Sequence, residues 1–120
     1  MIRENFSLGE MKNILDKYNM SDIHISPHYI SYINEGKRDI SEDEIKKFIS
    51  NKKSYFVEKQ INGWIRFKMV YEISNKYDLV IVVKEDINND RKILKVVSAY
   101  KTNKKLKEKW EKISKSLMKR

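Results

Sequence analysis

The chain has 120 residues, a net charge of +9, 40% hydrophobic and 36% charged residues, and no cysteine. That length fits one domain with a real core, that composition excludes a disordered chain, and the missing cysteines exclude a disulfide framework and a thiolate metal site. The longest apolar run, Leu79 to Val83, is far too short to span a bilayer and the N-terminus lacks a signal-peptide core, so a cytoplasmic protein with no membrane partner is expected.

Ser7-Leu8-Gly9-Glu10 is a capping-box pattern, followed by Met11, Ile14, Leu15 and Tyr18 at helical spacing, which predicts a helix over 8–19. Asp22-Ile23-His24-Ile25 reads as a short extended piece. Ser26 as N-cap and Pro27 as first helical residue start a second helix, which runs to about Glu35 and stops at Gly36. Ser41-Glu42-Asp43-Glu44 opens a third, with Ile45, Phe48 and Ile49 on its buried side and its end near Asn51.

The period then changes. Residues 54–61 read as extended, and Asn62-Gly63 is a hairpin signal. Trp64 to Ile73 alternates, with Ile65, Phe67, Met69, Tyr71 and Ile73 on one side and Trp64, Arg66, Lys68, Val70 and Glu72 on the other. Leu79 to Lys84 is apolar on both sides and belongs at the centre of a sheet. After a turn at 87–90, Arg91 to Lys101 forms a fourth strand. Asn103 caps a last helix with Leu106, Trp110, Ile113 and Leu117 on one stripe. The expected fold is α+β: N-terminal helices, a four-stranded antiparallel β-meander and a C-terminal basic helix. Residues 1–120 form a single domain in this reading, with 1–22 as a helical extension and 103–120 as the basic helix.

Charge is concentrated at the end. Between Lys101 and Arg120 there are nine basic residues, Lys104 and Lys105 among them, against Glu108 and Glu111. That stretch carries +7 of the +9, and a one-sided segment on a near-neutral body points to a polyanion, nucleic acid first.

Three places could carry chemistry. His28 sits in the first turn of the second helix, where the helix N-terminus disfavours the imidazolium and a neutral imidazole can act as base. Arg66 and Lys68 share a strand face with Trp64, two cations beside an indole that can meet a phosphodiester and stack a base. Ser98, Tyr100, Lys101 and Thr102 gather hydroxyls and an ammonium at a strand end, Lys101 on the side opposite Ser98 and Tyr100, where they can hold phosphate oxygens. With two histidines, no cysteine and His24 on an extended piece, no metal site is expected.

The stretch from Ile23 to Trp110 resembles small toxin-like ribonucleases of the RelE-like and barnase–EndoU–colicin-like group. His28 at a helix start, the Arg38-Asp39-Ile40-Ser41-Glu42-Asp43-Glu44-Ile45 helix opening and the basic strand Trp64-Ile65-Arg66-Phe67 carry the likeness. So does Val96-Val97-Ser98-Ala99-Tyr100-Lys101-Thr102, close to a "V-V-T-A-Y-x-T" ending, with Ser98 where the family has Thr. The resemblance implies a metal-independent endoribonuclease of toxin–antitoxin or mobile-element type, with no cofactor. In such enzymes a base activates the ribose 2′-OH and cations stabilise the phosphorane. His28 would be base or acid, Arg66 would neutralise charge, and Tyr100 would act with Ser98 and Thr102 on the phosphate. Arg38, Trp64, Lys68, Lys101, Lys104 and Lys105 would bind substrate. RNA, in a ribosomal setting for some relatives, and an acidic antitoxin are the implied partners. A second, local resemblance runs over residues 26–38, which look like the recognition helix of repressor-type helix-turn-helix domains; Pro27, His28 and Tyr29 would then face DNA in a transcriptional regulator.

Overall fold

The computed structural model describes residues 2–27, 29, 40–51 and 53–103. Six strands dominate it. They are β1 (Ile2–Asn5), β2 (Ile23–Ile25), β3 (Phe56–Asn62), β4 (Trp64–Glu72), β5 (Tyr77–Asn88) and β6 (Arg91–Asn103). The α-helices among the described residues are α1 (Leu8–Leu15) and α2 (Glu42–Asn51). The strands form one sheet in the order β1-β3-β4-β5-β6-β2.

This overturns the expected α+β fold built on a four-stranded antiparallel meander. The sheet is mixed: β2 runs parallel to β6, with Ile23 opposite Leu94 and Ile25 opposite Val96. The chain also opens on a strand and not on a helical extension, since β1 pairs antiparallel with β3, from Ile2 opposite Ile61 to Asn5 opposite Glu58. Both additions are edge strands of three or four residues. An edge strand pairs on one side alone and needs little apolar alternation of its own. Ile-Arg-Glu-Asn shows none, and all four residues of β1 are exposed.

Local chemistry explains the helices. Ser7 Oγ accepts from the Glu10 N–H at 3.0 Å, and Ser41 Oγ accepts from the Glu44 N–H at 3.1 Å, so both caps take up an orphan donor. α1 stops at Leu15, short of residue 19. The Lys17 and Tyr18 amides bond to the Ile14 and Leu15 carbonyls, three residues back, which tightens and ends the helix. A 3-10 turn at Met20–Asp22 then leads into β2. Of the expected helix over 27–35 only Pro27 and Tyr29 are described, both in helical conformation, and the basic segment beyond residue 103 lies outside the described residues. Asn103, expected as a cap, is the last residue of β6.

Two of the turns between strands depend on backbone conformations few residues take. Gly63 links β3 and β4 at φ 77°, and Asn89 and Asp90 link β5 and β6 at φ 52° and 64°. Two successive left-handed residues make the hairpin turn whose twist suits the strands, and Asn and Asp tolerate it best after glycine. β5 and β6 are long, 12 and 13 residues, and a bulge sits between Val82 and Val83, where Ser98 faces Val82 but Val96 faces Val83. Val97 is the inserted residue. The insertion keeps Val96 and Ala99 on one face while Lys95, Ser98 and Tyr100 take the other.

That first face carries the main core. Phe67, Met69 and Tyr71 of β4, Leu79, Ile81 and Val83 of β5, and Leu94, Val96 and Ala99 of β6 meet Met11 and Leu15 of α1 and Ile45 and Ile49 of α2. Phe48 packs edge-on to Tyr71 at 5.6 Å between centroids. Each such fully buried side chain contributes about 1.5–3 kcal/mol relative to exposure. The opposite face has a smaller buried cluster of Phe56, Val70, Val80 and Val82, with Tyr55, Val97 and Tyr100 packed beside it. Among the described residues no helix is long and apolar enough to cross a membrane.

Candidate nucleic-acid interface

Side chains two apart on a strand share a face. Arg66 lies between Ile65 and Phe67, Lys95 between Leu94 and Val96, and His24 between Ile23 and Ile25. Each therefore points away from the main core. The registers join them. Arg3 pairs with Gln60, Gln60 with Arg66, Lys84 with Lys95, and Lys95 with His24. The indole of Trp64 bridges the remaining step. The Arg66 guanidinium carbon is 5.3 Å from its centroid and Lys84 Nζ is 5.2 Å from it.

The result is one row, Arg3–Gln60–Arg66–Lys84–Lys95–His24, with one residue from each strand in spatial order. At about 4.8 Å per strand it spans about 24 Å. Like charges on adjacent strands repel and are normally avoided. Two carboxylates relieve part of this. Asp86 Oδ2 is 3.7 Å from Lys84 Nζ, and Glu58 Oε1 is 3.8 Å from Arg3 Nε. The Asp86 carboxyl is held below the usual range, first by the Ile87 N–H donating to its Oδ1 at 2.8 Å, then by Lys84 and Lys95, with burial opposing. Arg66 Nε is buried and makes no hydrogen bond among the described residues. At the β2 end an open groove of about 320 Å³ is lined by His24, Lys95, Asp86 and Ile87.

The structure distributes the residues expected from sequence over separate places. Trp64 and Arg66 are in or beside the row, and Trp64 is 54% exposed. Lys68 is on the same face but 9% exposed, directly across from the fully buried Glu58, so it sits with a buried carboxylate and away from solvent. Ser98, Tyr100 and Thr102 share this face too, opposite Val82, Val80 and Asp78. Tyr100 packs on the small apolar cluster, and Asp78 is buried and accepts a hydrogen bond from the Tyr55 hydroxyl. Lys101 lies across from Leu79 and so has the other parity, on the helix-covered face. Tyr100 faces Val80, which faces Val70, four residues along β4 from Arg66. Arg66 and Tyr100 are thus about 13 Å apart along the strands and two strands apart across them, too far to share one phosphate. His28, Arg38, Lys104 and Lys105 lie outside the described residues, as does most of the helix-turn-helix-like stretch 26–38.

Sequence reasoning missed Arg3, Gln60, Lys84, Lys95 and His24. His24 and Lys95 are single polar residues between two apolar ones, Arg3 is on a strand too short to notice, and Gln60 and Lys84 each adjoin a charged residue, Lys59 and Glu85. The signal available was the alternation in Ile23-His24-Ile25 and Leu94-Lys95-Val96; the pairing that lines them up is not in the sequence. Among the described residues no three His, Asp or Glu side chains come together as a metal site. Comparison with protein families, with curated proteins and with solved structures finds no match to this chain.

Proposed function

We propose that this is a cytoplasmic RNA-binding protein that holds a single strand along the row from Arg3 to His24. The observation that carries this reading is the continuity of the row: cations contributed by four strands, a histidine at its end, and an exposed indole between two of the cations. Cations neutralise successive phosphates and Trp64 offers a stacking surface to a base, which is how sequence-tolerant single-strand binding works. The test is binding of a labelled oligouridine across a salt series. A linear fall of log K with log salt supports the reading; salt-independent or absent binding ends it.

A second reading, metal-independent RNA cleavage, is favoured by His24 lying beside Lys95 in the row. It is also the activity implied by the toxin-like ribonuclease resemblance, with an acidic antitoxin as the corresponding partner. His24 would take the proton of a ribose 2′-OH, whose oxygen attacks phosphorus. Lys95 would stabilise the added charge, and the 5′-oxygen would leave with a proton from water, giving a 2′,3′-cyclic phosphate and a 5′-hydroxyl. RNA incubated in EDTA and analysed for its ends decides this. Cyclic-phosphate ends lost in His24→Ala support cleavage at the row. Ends lost in His28→Ala but kept in His24→Ala place the base at His28, and intact RNA removes the enzymatic reading.

A further inference from the structure

Beside the middle of the row, next to Trp64 where β4 and β5 part, lies a cavity of about 730 Å³, a volume in the range of small-molecule sites. Phe6, Ile14, Trp64 and Phe67 give it apolar walls, and the Phe6 and Phe67 rings are 5.1 Å apart, inclined at 45°. Its polar lining is two ammonium groups, Lys59 and Lys84 (a member of the row), and two carboxylates, Glu85 and Asp86. Flat apolar walls receive a base far better than they receive a phosphate, and the two carboxylates offset the two ammonium groups.

Glu85 is held from behind. Its Oε2 accepts from the Tyr18 hydroxyl at 2.5 Å and is 3.7 Å from Lys17 Nζ. Burial, and then the bond to Glu85, raise the Tyr18 phenol well above its ordinary range, so it stays a donor. A carboxylate fixed at one oxygen keeps acceptor capacity at both. Two parallel acceptors match two adjacent N–H donors. Guanine presents that pair, N1–H and N2–H, on its Watson–Crick edge. Adenine and cytosine each alternate a donor with an acceptor there, and uracil sets one N–H between two carbonyls. The edge is free only in an unpaired base.

We propose that this cavity takes an unpaired guanine, stacked on the exposed Trp64 with Phe6 and Phe67 as the wall behind and its N–H edge on Glu85, while the flanking phosphates follow Lys84 into the row. The proposal rests on the RNA-binding reading and adds a base preference to it. The test uses the full chain and three labelled RNAs measured by fluorescence anisotropy: an oligouridine octamer, the same octamer with one central guanosine, and the same with one inosine. One guanosine is expected to tighten binding about tenfold, the scale of one bidentate base contact, and inosine, lacking the N2 amine, is expected to recover only part of that. Glu85→Gln, on a side chain 37% exposed, is expected to bind oligouridine as before and to lose the guanosine gain. Equal, salt-dependent affinity for all three RNAs overturns the guanine site and leaves the row intact. A full guanosine gain in Glu85→Gln overturns the role of Glu85. Absence of salt-dependent binding to any of the three removes the RNA reading itself, and this proposal with it.

Discussion

The two faces of the sheet use the same strands for different ends. On the helix-covered face, β4, β5 and β6 each present three apolar side chains to α1 and α2, and every one of them is 5% exposed or less. On the opposite face, the clustered apolar residues lie at the centre, around Val70 and Val80, and one end carries a line of cations with Ile93 buried beside it. A period of two lets a strand separate these duties residue by residue. The first face supplies stability. The second gives up some of it by placing Lys84 beside Lys95, a repulsion that Asp86 relieves in part.

The largest effect expected from this contrast is on folding. Ile81→Ala, at a fully buried position, is expected to cost about 2–5 kcal/mol in urea denaturation. Lys95→Ala is expected to shift stability by about 0.5 kcal/mol or less, or to raise it by relieving repulsion. Similar losses for the two would erase the division between the faces.

Binding should separate them the other way. Trp64→Ala is expected to weaken oligouridine binding by about 1–3 kcal/mol while leaving the denaturation midpoint nearly unchanged, because the indole is more than half exposed. The double variant Arg66→Ala, Lys84→Ala is expected to make the salt dependence shallower by about 0.7 per lost phosphate contact, about 1.4 in all. A core variant that still folds should keep the original slope. If Ile81→Ala flattens the slope as much as the double variant does, the row is not where RNA sits.

How much of this was legible beforehand follows the same division. The helix-covered face could be read, because Phe67-Met69-Tyr71 and the capped stripe Ile45-Phe48-Ile49 are local patterns, each contained within one element. The sheet as a whole could not. β1 has no alternation, β2 is three residues long, and its parallel docking on β6 joins residues about 70 positions apart, Ile23 to Leu94. The row needs all five registers, and the Val82/Val83 bulge shifts one of them. Arg66 and Trp64 were found because a single strand displays both. Lys84, Lys95 and His24 come from three strands, and only tertiary pairing brings them together. Tyr100 was found for a motif at the end of β6, yet the same pairing carries it away from Arg66.

The smallest effect tests what keeps the row complete. β2 brings in His24 with only three residues of pairing, so the turn before it must hold that edge. Asp22 does this: its Oδ2 accepts from the Asn19 N–H at 3.0 Å, and its Oδ1 pairs with Arg91 at the start of β6. The carboxyl is accordingly held below the usual range, first by the Asn19 N–H, then by Arg91. A carboxylate whose folded pKa is depressed stabilises the fold above its unfolded pKa, about 3.9, and loses that contribution as pH falls through the lower folded value. Asp86 is depressed as well and titrates in the same region, so the wild-type acid profile alone cannot separate them. The difference between wild type and Asp22→Asn can, since Asp86 contributes to both. Thermal melts from pH 7 to pH 2 are expected to show Asp22→Asn less stable at neutral pH, with the gap closing below about pH 4 as wild-type Asp22 takes its proton. Two curves that stay parallel down to pH 2 would mean that the ionised carboxylate does not hold this edge, and that β2 keeps His24 in line by its pairing with β6 alone.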